Sequence, residues 1–255
     1  MGTAAPAVAV AVPPALERFL ASAGFDALGV LEASAYDALV PSAWRTDRLL
    51  DSARSVLVLA SGGRAFWDAF QRAPEARLEC DPVDAYTTRI AAECAAWPGL
   101  GGARAALAFE RHEGVYADFV ALGRAAGLGA PSRLGLLVSP RFGPWLSLRA
   151  VVLCERALVP TLALAGFAPC EGCPAPCAAA CHGSAVELAE FDTRACGDAR
   201  SREAACADRC DARRVCVVGR EHAYDPSAEA HHMRVSRALH VRTASVRDGA
   251  KAARG

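Results

Sequence analysis

The sequence predicts an α/β (α+β) domain followed by a small module whose order depends on cysteine. Helical and strand-like segments alternate through the first two thirds of the chain, and eight of the eleven cysteines lie between positions 170 and 216. Residues 168–222 contain few β-branched runs, so bound metal would have to contribute to their order together with apolar burial. We place the boundary between the two parts near residue 167.

Hydrophobic periodicity predicts the first elements of the upstream domain. The segment ALERFLASAGF, which begins at residue 15, has the spacing of an amphipathic helix, and DALGVLEA after it is strand-like. The apolar run SVLVLASG over residues 55–62 is typical of a buried strand. A helix around residues 65–71 is expected to follow.

The next elements are predicted from capping residues and glycines. Asp81 as N-cap and Pro82 at the first helical position indicate a long helix that runs to about residue 97. ARAALAFE is strand-like, and the helix in YADFVALGRAAG should end at the glycines of residues 127–129.

Two strand-like runs, RLGLLVS and WLSLRAVVL, flank the turn formed by residues 140–144, which predicts a hairpin. Together these elements predict a domain over residues 15–167, a cysteine-rich module over residues 168–242, and a flexible leader (1–14) and tail (243–255).

The charge balance excludes some classes of partner. Lys plus Arg and Asp plus Glu both number 28, so the chain lacks the basic excess that is typical of proteins that bind nucleic acid or anionic membranes. The first residues lack the basic region of a secretory signal, and no apolar run reaches the roughly 18 residues of a membrane helix. We therefore expect a cytoplasmic protein without a membrane or nucleic-acid partner.

The cysteine array is the strongest local motif. Residues 170–181 read CEGCPAPCAAAC, a close variant of the ferredoxin run C-x2-C-x2-C-x3-C-P. There is one extra residue between Cys173 and Cys177, and His182 replaces the proline after the last cysteine. Thiolates at this spacing can surround a compact iron-sulfur cluster, and the fourth cysteine of such a run typically ligates a second cluster.

The remaining cysteines provide enough ligands for one or two four-iron clusters. We assign one cluster to Cys170, Cys173, Cys177 and Cys216. We assign the other to Cys181, Cys196, Cys206 and Cys210. Zinc is an alternative because it also accepts four thiolates and often uses C-x2-C pairs. Reduced or disulfide-linked cysteines are the other alternative.

Two families share residues with this sequence. Residues 125–129 (AAGLG) and 136–145 (LLVSPRFGPW), followed by the cysteine array, resemble epoxyqueuosine reductase over about residues 100–220. Residues 140–152, the DPVD segment at 81–84 and His112 also resemble the CblC-type cobalamin-processing protein, over about residues 15–155. The resemblance implies a nitroreductase-like scaffold for the cobalamin-binding domain and a ferredoxin-like C-terminal module.

The resemblance also implies roles for individual residues. His112 would lie beside the corrin, and Glu113 stands where the reductase has a catalytic aspartate. A glutamic acid there can also donate a proton, so we take His112 and Glu113 as the catalytic candidates. The residues that would line the cobalamin or thiol-substrate pocket are Arg141, Phe142, Trp145 and Arg149.

These features predict a cobalamin-binding iron-sulfur oxidoreductase that processes cobalamin reductively or uses it to reduce a small substrate. The reduction potentials of iron-sulfur clusters extend to about −700 mV, which is low enough for a cluster to reduce cobalamin. Electrons would come from a partner such as a reductase or flavodoxin. Nitroreductase-like folds often dimerise, so a homodimer is one assembly that the resemblance allows. The alternatives are a non-catalytic ferredoxin-like electron carrier or cobalamin chaperone, and a flavin-dependent reductase on the same scaffold.

Overall fold

The structure is a computed structural model that describes residues 8–187 and 191–237. Its contacts divide the chain into two compact units. Unit 1 comprises Met1–Ala130 and Leu146–Phe167, and unit 2 comprises Pro131–Trp145 and Ala168–Gly255. The turn that precedes Trp145 is thus part of the cysteine-rich unit, whereas the sequence suggested that it belongs to the upstream domain.

An antiparallel sheet forms the centre of unit 1. Its strands are β1 (Ala27–Glu32), β2 (Ser55–Gly62), β3 (Ala103–Leu107) and β6 (Leu146–Cys154). The strand order is β1-β2-β6-β3, and every neighbouring pair is antiparallel. All eight residues of β2 are buried, as expected for a central strand that is covered on both faces. The prediction of a mixed α/β fold is therefore confirmed at the level of the fold class.

The helices in the described residues of unit 1 are α1 (Pro14–Ser22), α2 (Ala33–Asp37), α3 (Thr46–Leu49), α4 (Ala65–Arg72), α5 (Pro82–Ala95) and α6 (Phe119–Ala125). Helices α1, α4, α5 and α6 lie close to their predicted positions, whereas the short helices α2 and α3 were not predicted. Asp81 precedes α5, but it has a left-handed φ of 45° and its side chain makes no capping hydrogen bond. The predicted N-cap interaction is therefore wrong, whereas Asp118 does cap α6 by accepting from the amide of Ala121 at 3.0 Å.

The predicted hairpin around residues 140–144 is only partly correct. Ser139 and Gly143 form a bridge across the turn, but the flanking strands do not pair with each other. The short strands β4 (Ala130–Pro131) and β5 (Leu137–Val138) form a separate two-stranded sheet. β6 instead lies between β2 and β3, because its last five residues are apolar and fully buried at the centre of the larger sheet.

Unit 2 consists of short helices around a small core. Its helices are α7 (Pro176–Ala179), α8 (Thr193–Arg202), α9 (Asp211–Arg214) and α10 over residues 226–237. Short 3-10 turns in the two units cover Ser42–Trp44, Pro74–Arg77, Pro98–Leu100, Ala204–Cys206 and Arg220–His222. One core cluster of unit 2 consists of Leu134, Ala175, Cys177, Val186 and Ala212. Three of these five side chains are small, so this cluster buries little apolar area.

None of the helices in the described part of the chain combines the length and hydropathy of a membrane span.

Two glycine backbones make close contact within unit 2. Gly143 has a φ of +58°, and a Cβ atom added to it would lie 2.1 Å from the carbonyl oxygen of Val218. Gly219 has a φ of +66°, and its added Cβ would lie 2.4 Å from the amide nitrogen of Gly143. Both positions therefore require glycine, and their contact joins the turn before Trp145 to the loop after Cys216.

We expect Gly143→Ala to lower the melting temperature strongly, because the left-handed φ costs about 1 kcal/mol and the clash with the Val218 carbonyl adds to this cost. Gly166→Ala is the matched control, since Gly166 has a φ of +71° but nothing within 4 Å of an added Cβ. Thermal unfolding of both variants provides the measurement. Equal shifts would show that the Gly143 contact adds nothing to stability.

Candidate functional site

Four cysteines from separate segments border one cavity in unit 2, which we call the first cysteine cavity. They are Cys170, Cys173, Cys177 and Cys216. The loop before α7 carries the first two, α7 carries Cys177, and Cys216 follows α9. The cavity encloses about 350 Å³ including its open mouth. The rest of its lining consists of Ser132, Arg133, Leu134, Val138, Pro169, Pro176 and Val217.

The other four cysteines of unit 2 border a second cavity, which we call the second cysteine cavity. They are Cys181, Cys196, Cys206 and Cys210. Cys181 follows α7, Cys196 lies within α8, Cys206 ends a 3-10 turn and Cys210 precedes α9. This cavity encloses about 320 Å³ including its mouth, and Arg200, Arg209 and Met233 also line it.

The donor chemistry of both cavities fits an iron-sulfur cluster. All eleven cysteines are free of disulfides, so each cavity has four thiols as donors. A zinc site would hold four sulfurs about 2.3 Å from one point. Within residues 8–187 and 191–237, no group of three or more His, Cys, Asp or Glu side chains closes on a single ion in that way. The four thiols of each set therefore do not form a closed zinc site in the described part of the chain.

The structure brings together the same two sets of cysteines that the ferredoxin spacing suggests. Their role as cluster ligands stays a prediction, because proximity of thiols does not identify the group that they bind.

Burial controls the protonation of several of these thiols. It raises the pKa of Cys177, Cys196, Cys206 and Cys210, because a buried thiolate loses its hydration. Neighbouring thiols raise the pKa of Cys177 and Cys206 further. A bound metal would supply the positive charge that stabilises the thiolates, and its binding would release protons.

A buried carboxylate holds one wall of the second cysteine cavity. Glu229 on α10 is only 1% exposed, and its Oε1 accepts a hydrogen bond from the amide of Cys210 at 2.9 Å. Its Oε2 accepts from the guanidinium Nε of Arg214 at 2.8 Å. Glu229 therefore links α10 to the Cys210 turn. Sequence reasoning missed this residue, because no local pattern marks a contact that spans 19 positions.

The mouth of the second cysteine cavity carries a charged cluster. Asp211 lies 2.9 Å from the Nε2 atom of His182 and 3.0 Å from the Nε atom of Arg209. The hydrogen bond from His182, with a further contribution from Arg209, keeps the pKa of Asp211 below its ordinary value. The Asp211 carboxylate therefore offsets the positive charge of Arg209 at the mouth of the second cysteine cavity.

Three of the predicted cofactor-lining residues lie in unit 2. Trp145 is 1% exposed and contacts the ring of Tyr224, with ring centroids 5.2 Å apart. The guanidinium of Arg213 lies 4.5 Å from the centroid of Trp145 and donates to the Pro144 carbonyl. Phe142 is also buried, and the exposed Arg141 lies over its ring at 4.5 Å. Phe142 and Trp145 thus pack within unit 2, and sequence reasoning missed Arg213.

Arg149 lies in unit 1 on β6. Its guanidinium is 3.9 Å from the centroid of Phe66, and its Nε donates to the hydroxyl of Ser61 at 3.0 Å. Burial, together with the neighbouring Asp81, raises the pKa of Asp84, and the charge of Arg149 partly opposes this shift. The DPVD segment and Arg149 are therefore electrostatically coupled.

The predicted catalytic pair lies on a tight turn of unit 1. His112 and Val115 exchange backbone hydrogen bonds of 3.1 and 3.0 Å, and the exposed Glu113 lies at the tip with a left-handed φ of 49°. The His112 ring contacts Trp44 edge-on at 4.4 Å, and the indole N–H of Trp44 donates to the Val115 carbonyl at 2.9 Å. Trp44, which sequence reasoning missed, fixes this turn.

The His112 ring has unused hydrogen-bonding capacity. Its Nε2 atom is buried and has no hydrogen-bond partner among the described residues, although a carboxylate oxygen of Glu110 lies 3.4 Å away. The contact with Glu110 satisfies an ion-pair distance but not hydrogen-bond geometry. The six predicted cofactor and catalytic residues are divided between the units, and their functional roles stay predictions.

Solved structures of epoxyqueuosine reductase have a similar fold. The Bacillus subtilis enzyme aligns with a TM-score of 0.53 and 14% identity, over 83% of this chain and 66% of that chain. An epoxyqueuosine reductase with an epoxyqueuosine-modified tRNA stem loop has a TM-score of 0.52 and 13% identity, over 85% of this chain and 67% of that one. At this identity the likeness shows a shared fold.

The match to other solved chains is partial. A catabolic reductive dehalogenase aligns with a TM-score of 0.48 and 17% identity, over 88% of this chain and 35% of that chain. The present chain spans about two thirds of the length of the reductases named above and about a third of the dehalogenase. No protein-family model and no curated protein matches the sequence. The CblC and nitroreductase resemblances stay predictions.

We expect Glu229→Gln to destabilise unit 2 by about 2 kcal/mol or more, because it leaves Arg214 without its buried partner. Glu93→Gln is the matched control, since it removes a carboxylate from an exposed pair with Arg89 at 2.8 Å and should cost less than about 1 kcal/mol. Denaturant unfolding measures both. A Glu229 variant as stable as the Glu93 variant would contradict the role of Glu229 as a link.

Proposed function

We propose that this chain is an iron-sulfur oxidoreductase that binds two four-iron clusters and serves reductive cobalamin chemistry. The observation that carries the proposal is the division of eight cysteines between two cavities with four thiols each. Each set draws its thiols from more than one segment, so the folded unit can form two separate sites of equal donor number.

The residues of unit 2 would bind and shield the clusters. When bound, the clusters supply one-electron transfer at low potential. The eight thiols hold them, while the apolar wall of the first cysteine cavity limits the access of water. Glu229 fixes the amide of Cys210, and the Gly143–Gly219 contact fixes the loop that carries Cys216. Stable positions for these ligands reduce the reorganisation that accompanies electron transfer.

The cobalamin part of the proposal has separate support. The fold is like that of epoxyqueuosine reductase, and residues 125–129 and 136–145 resemble the same family in sequence. In this proposal Arg141, Phe142, Trp145 and Arg149 contact cobalamin or the substrate. Glu113, exposed at the tip of a turn held by Trp44, is suited to take a proton from water and donate it to substrate.

The remaining expectations belong to the same proposal. The electron donor is a reductase or flavodoxin, the substrate is a small molecule or cobalamin itself, and the protein acts in the cytoplasm, with a homodimer as one assembly that the resemblance allows. A carrier or chaperone without turnover, and a flavin enzyme on the same scaffold, are the competing functions.

Metal analysis tests the cluster assignment. Anaerobically purified protein should contain about eight iron and eight sulfide per chain and no stoichiometric zinc. Cys173→Ser and Cys206→Ser, one from each cavity, should each lower the iron content toward about four. Cys80→Ser is the control, because Cys80 is exposed and borders neither cavity. Stoichiometric zinc, or a loss of all iron from either variant, would contradict two independent clusters.

Turnover separates an enzyme from a carrier. We expect the cluster-loaded protein to convert several equivalents of cyanocobalamin or methylcobalamin per chain when it is supplied with a low-potential reductant. Cys206→Ser should slow this conversion, because it removes a ligand of the second cysteine cavity. Conversion no faster than with the reductant alone would favour the carrier or chaperone, and a bound flavin spectrum without cobalamin binding would favour the flavin enzyme.

A further inference from the structure

Arginine side chains line both cysteine cavities. The second cysteine cavity is bordered by Arg200 and Arg209, whereas Arg133 is the arginine that borders the first. Arg209 is paired with Asp211 at 3.0 Å, so its charge is partly neutralised. Arg200 forms no ion pair among the described residues. It therefore adds an uncompensated positive charge to the wall of the second cysteine cavity.

Helix α8 fixes Arg200 beside the thiols. Cys196 and Arg200 are four residues apart on this helix, so they share one face and both border the cavity. Arg200 therefore lies beside the thiols of the second cysteine cavity, and it does not line the first.

Arg200 also retains an unused hydrogen-bond donor. Its Nη1 atom donates to the hydroxyl of Ser236 on α10, which restrains the guanidinium. Its Nε atom is buried and has no hydrogen-bond partner among the described residues. A buried donor without a partner is costly, and the sulfur atoms of a cluster are acceptors that would relieve this cost. The amide of Ala185 already donates to the Cys181 sulfur at 3.3 Å.

A role of Arg200 in tuning a cluster extends the proposed function and rests on it. We propose that Arg200 raises the reduction potential of the cluster in the second cysteine cavity and has no such effect on the cluster in the first. Reduction adds a negative charge to a cluster. A nearby cation and hydrogen bonds to its sulfurs therefore stabilise the reduced form more than the oxidised form, and both factors are known to set cluster potentials. Arg200 is a positioning and tuning residue, since it need not touch substrate.

The test is a redox titration of the cluster-loaded protein followed by electron paramagnetic resonance. Wild-type protein should give two midpoint potentials, and Arg200→Gln should lower the potential of the cluster in the second cysteine cavity while the other stays unchanged. Arg200→Lys keeps the charge but loses the Nε donor, so the potential of that cluster should lie between those of wild type and Arg200→Gln. Arg202→Gln is the matched control, because it removes the same charge from an exposed position on α8.

Two further measurements make the outcomes distinct. Cys173→Ser and Cys196→Ser assign each signal to its cavity, and iron and sulfide content shows that the arginine variants still load both clusters. If Arg200→Gln loads both clusters fully and the two potentials are unchanged or lowered equally, the proposed role of Arg200 is wrong. The proposed function would still stand in that case. Wild-type protein without iron and sulfide would overturn the proposed function, and this inference with it.

Discussion

The structure of unit 2 depends on the convergence of eight thiols on two cavities. The core cluster beside the first cysteine cavity combines two alanines and a cysteine with two larger aliphatic side chains, so it buries little apolar area. Burial of the thiols also raises the pKa of several of them, which opposes the charged form that a metal needs. Bound clusters would resolve both problems, because they link the segments and neutralise the thiolates.

The contacts around the cysteines join segments that are distant in sequence. Gly143 meets the Val218–Gly219 loop, Arg213 donates to the Pro144 carbonyl, and Glu229 holds the amide of Cys210. These three contacts connect the turn before Trp145, helix α9 and helix α10. They explain why Pro131–Trp145 belongs to the cysteine-rich unit, although β6 follows it directly in unit 1.

Sequence patterns within short segments correctly predicted the features that local interactions determine. The apolar run of β2, the helix after Pro82 and the grouping of the eight cysteines all follow from spacing within short segments, and the structure has β2, α5 and those groups. The hairpin prediction was only partly correct, because β6 pairs with β2 and β3, which lie far away in sequence. Trp44 and Glu229 were missed for the same reason, since their partners are 71 and 19 positions away.

Anomalous X-ray scattering at the iron edge tests the central claim most directly, because it locates the metal relative to the sulfurs. For anaerobically prepared crystals, this account predicts two separate iron peaks. One should lie within bonding distance of Cys170, Cys173, Cys177 and Cys216, and the other within bonding distance of Cys181, Cys196, Cys206 and Cys210. Scattering only at the zinc edge, or a single peak ligated by cysteines of both sets, would contradict it.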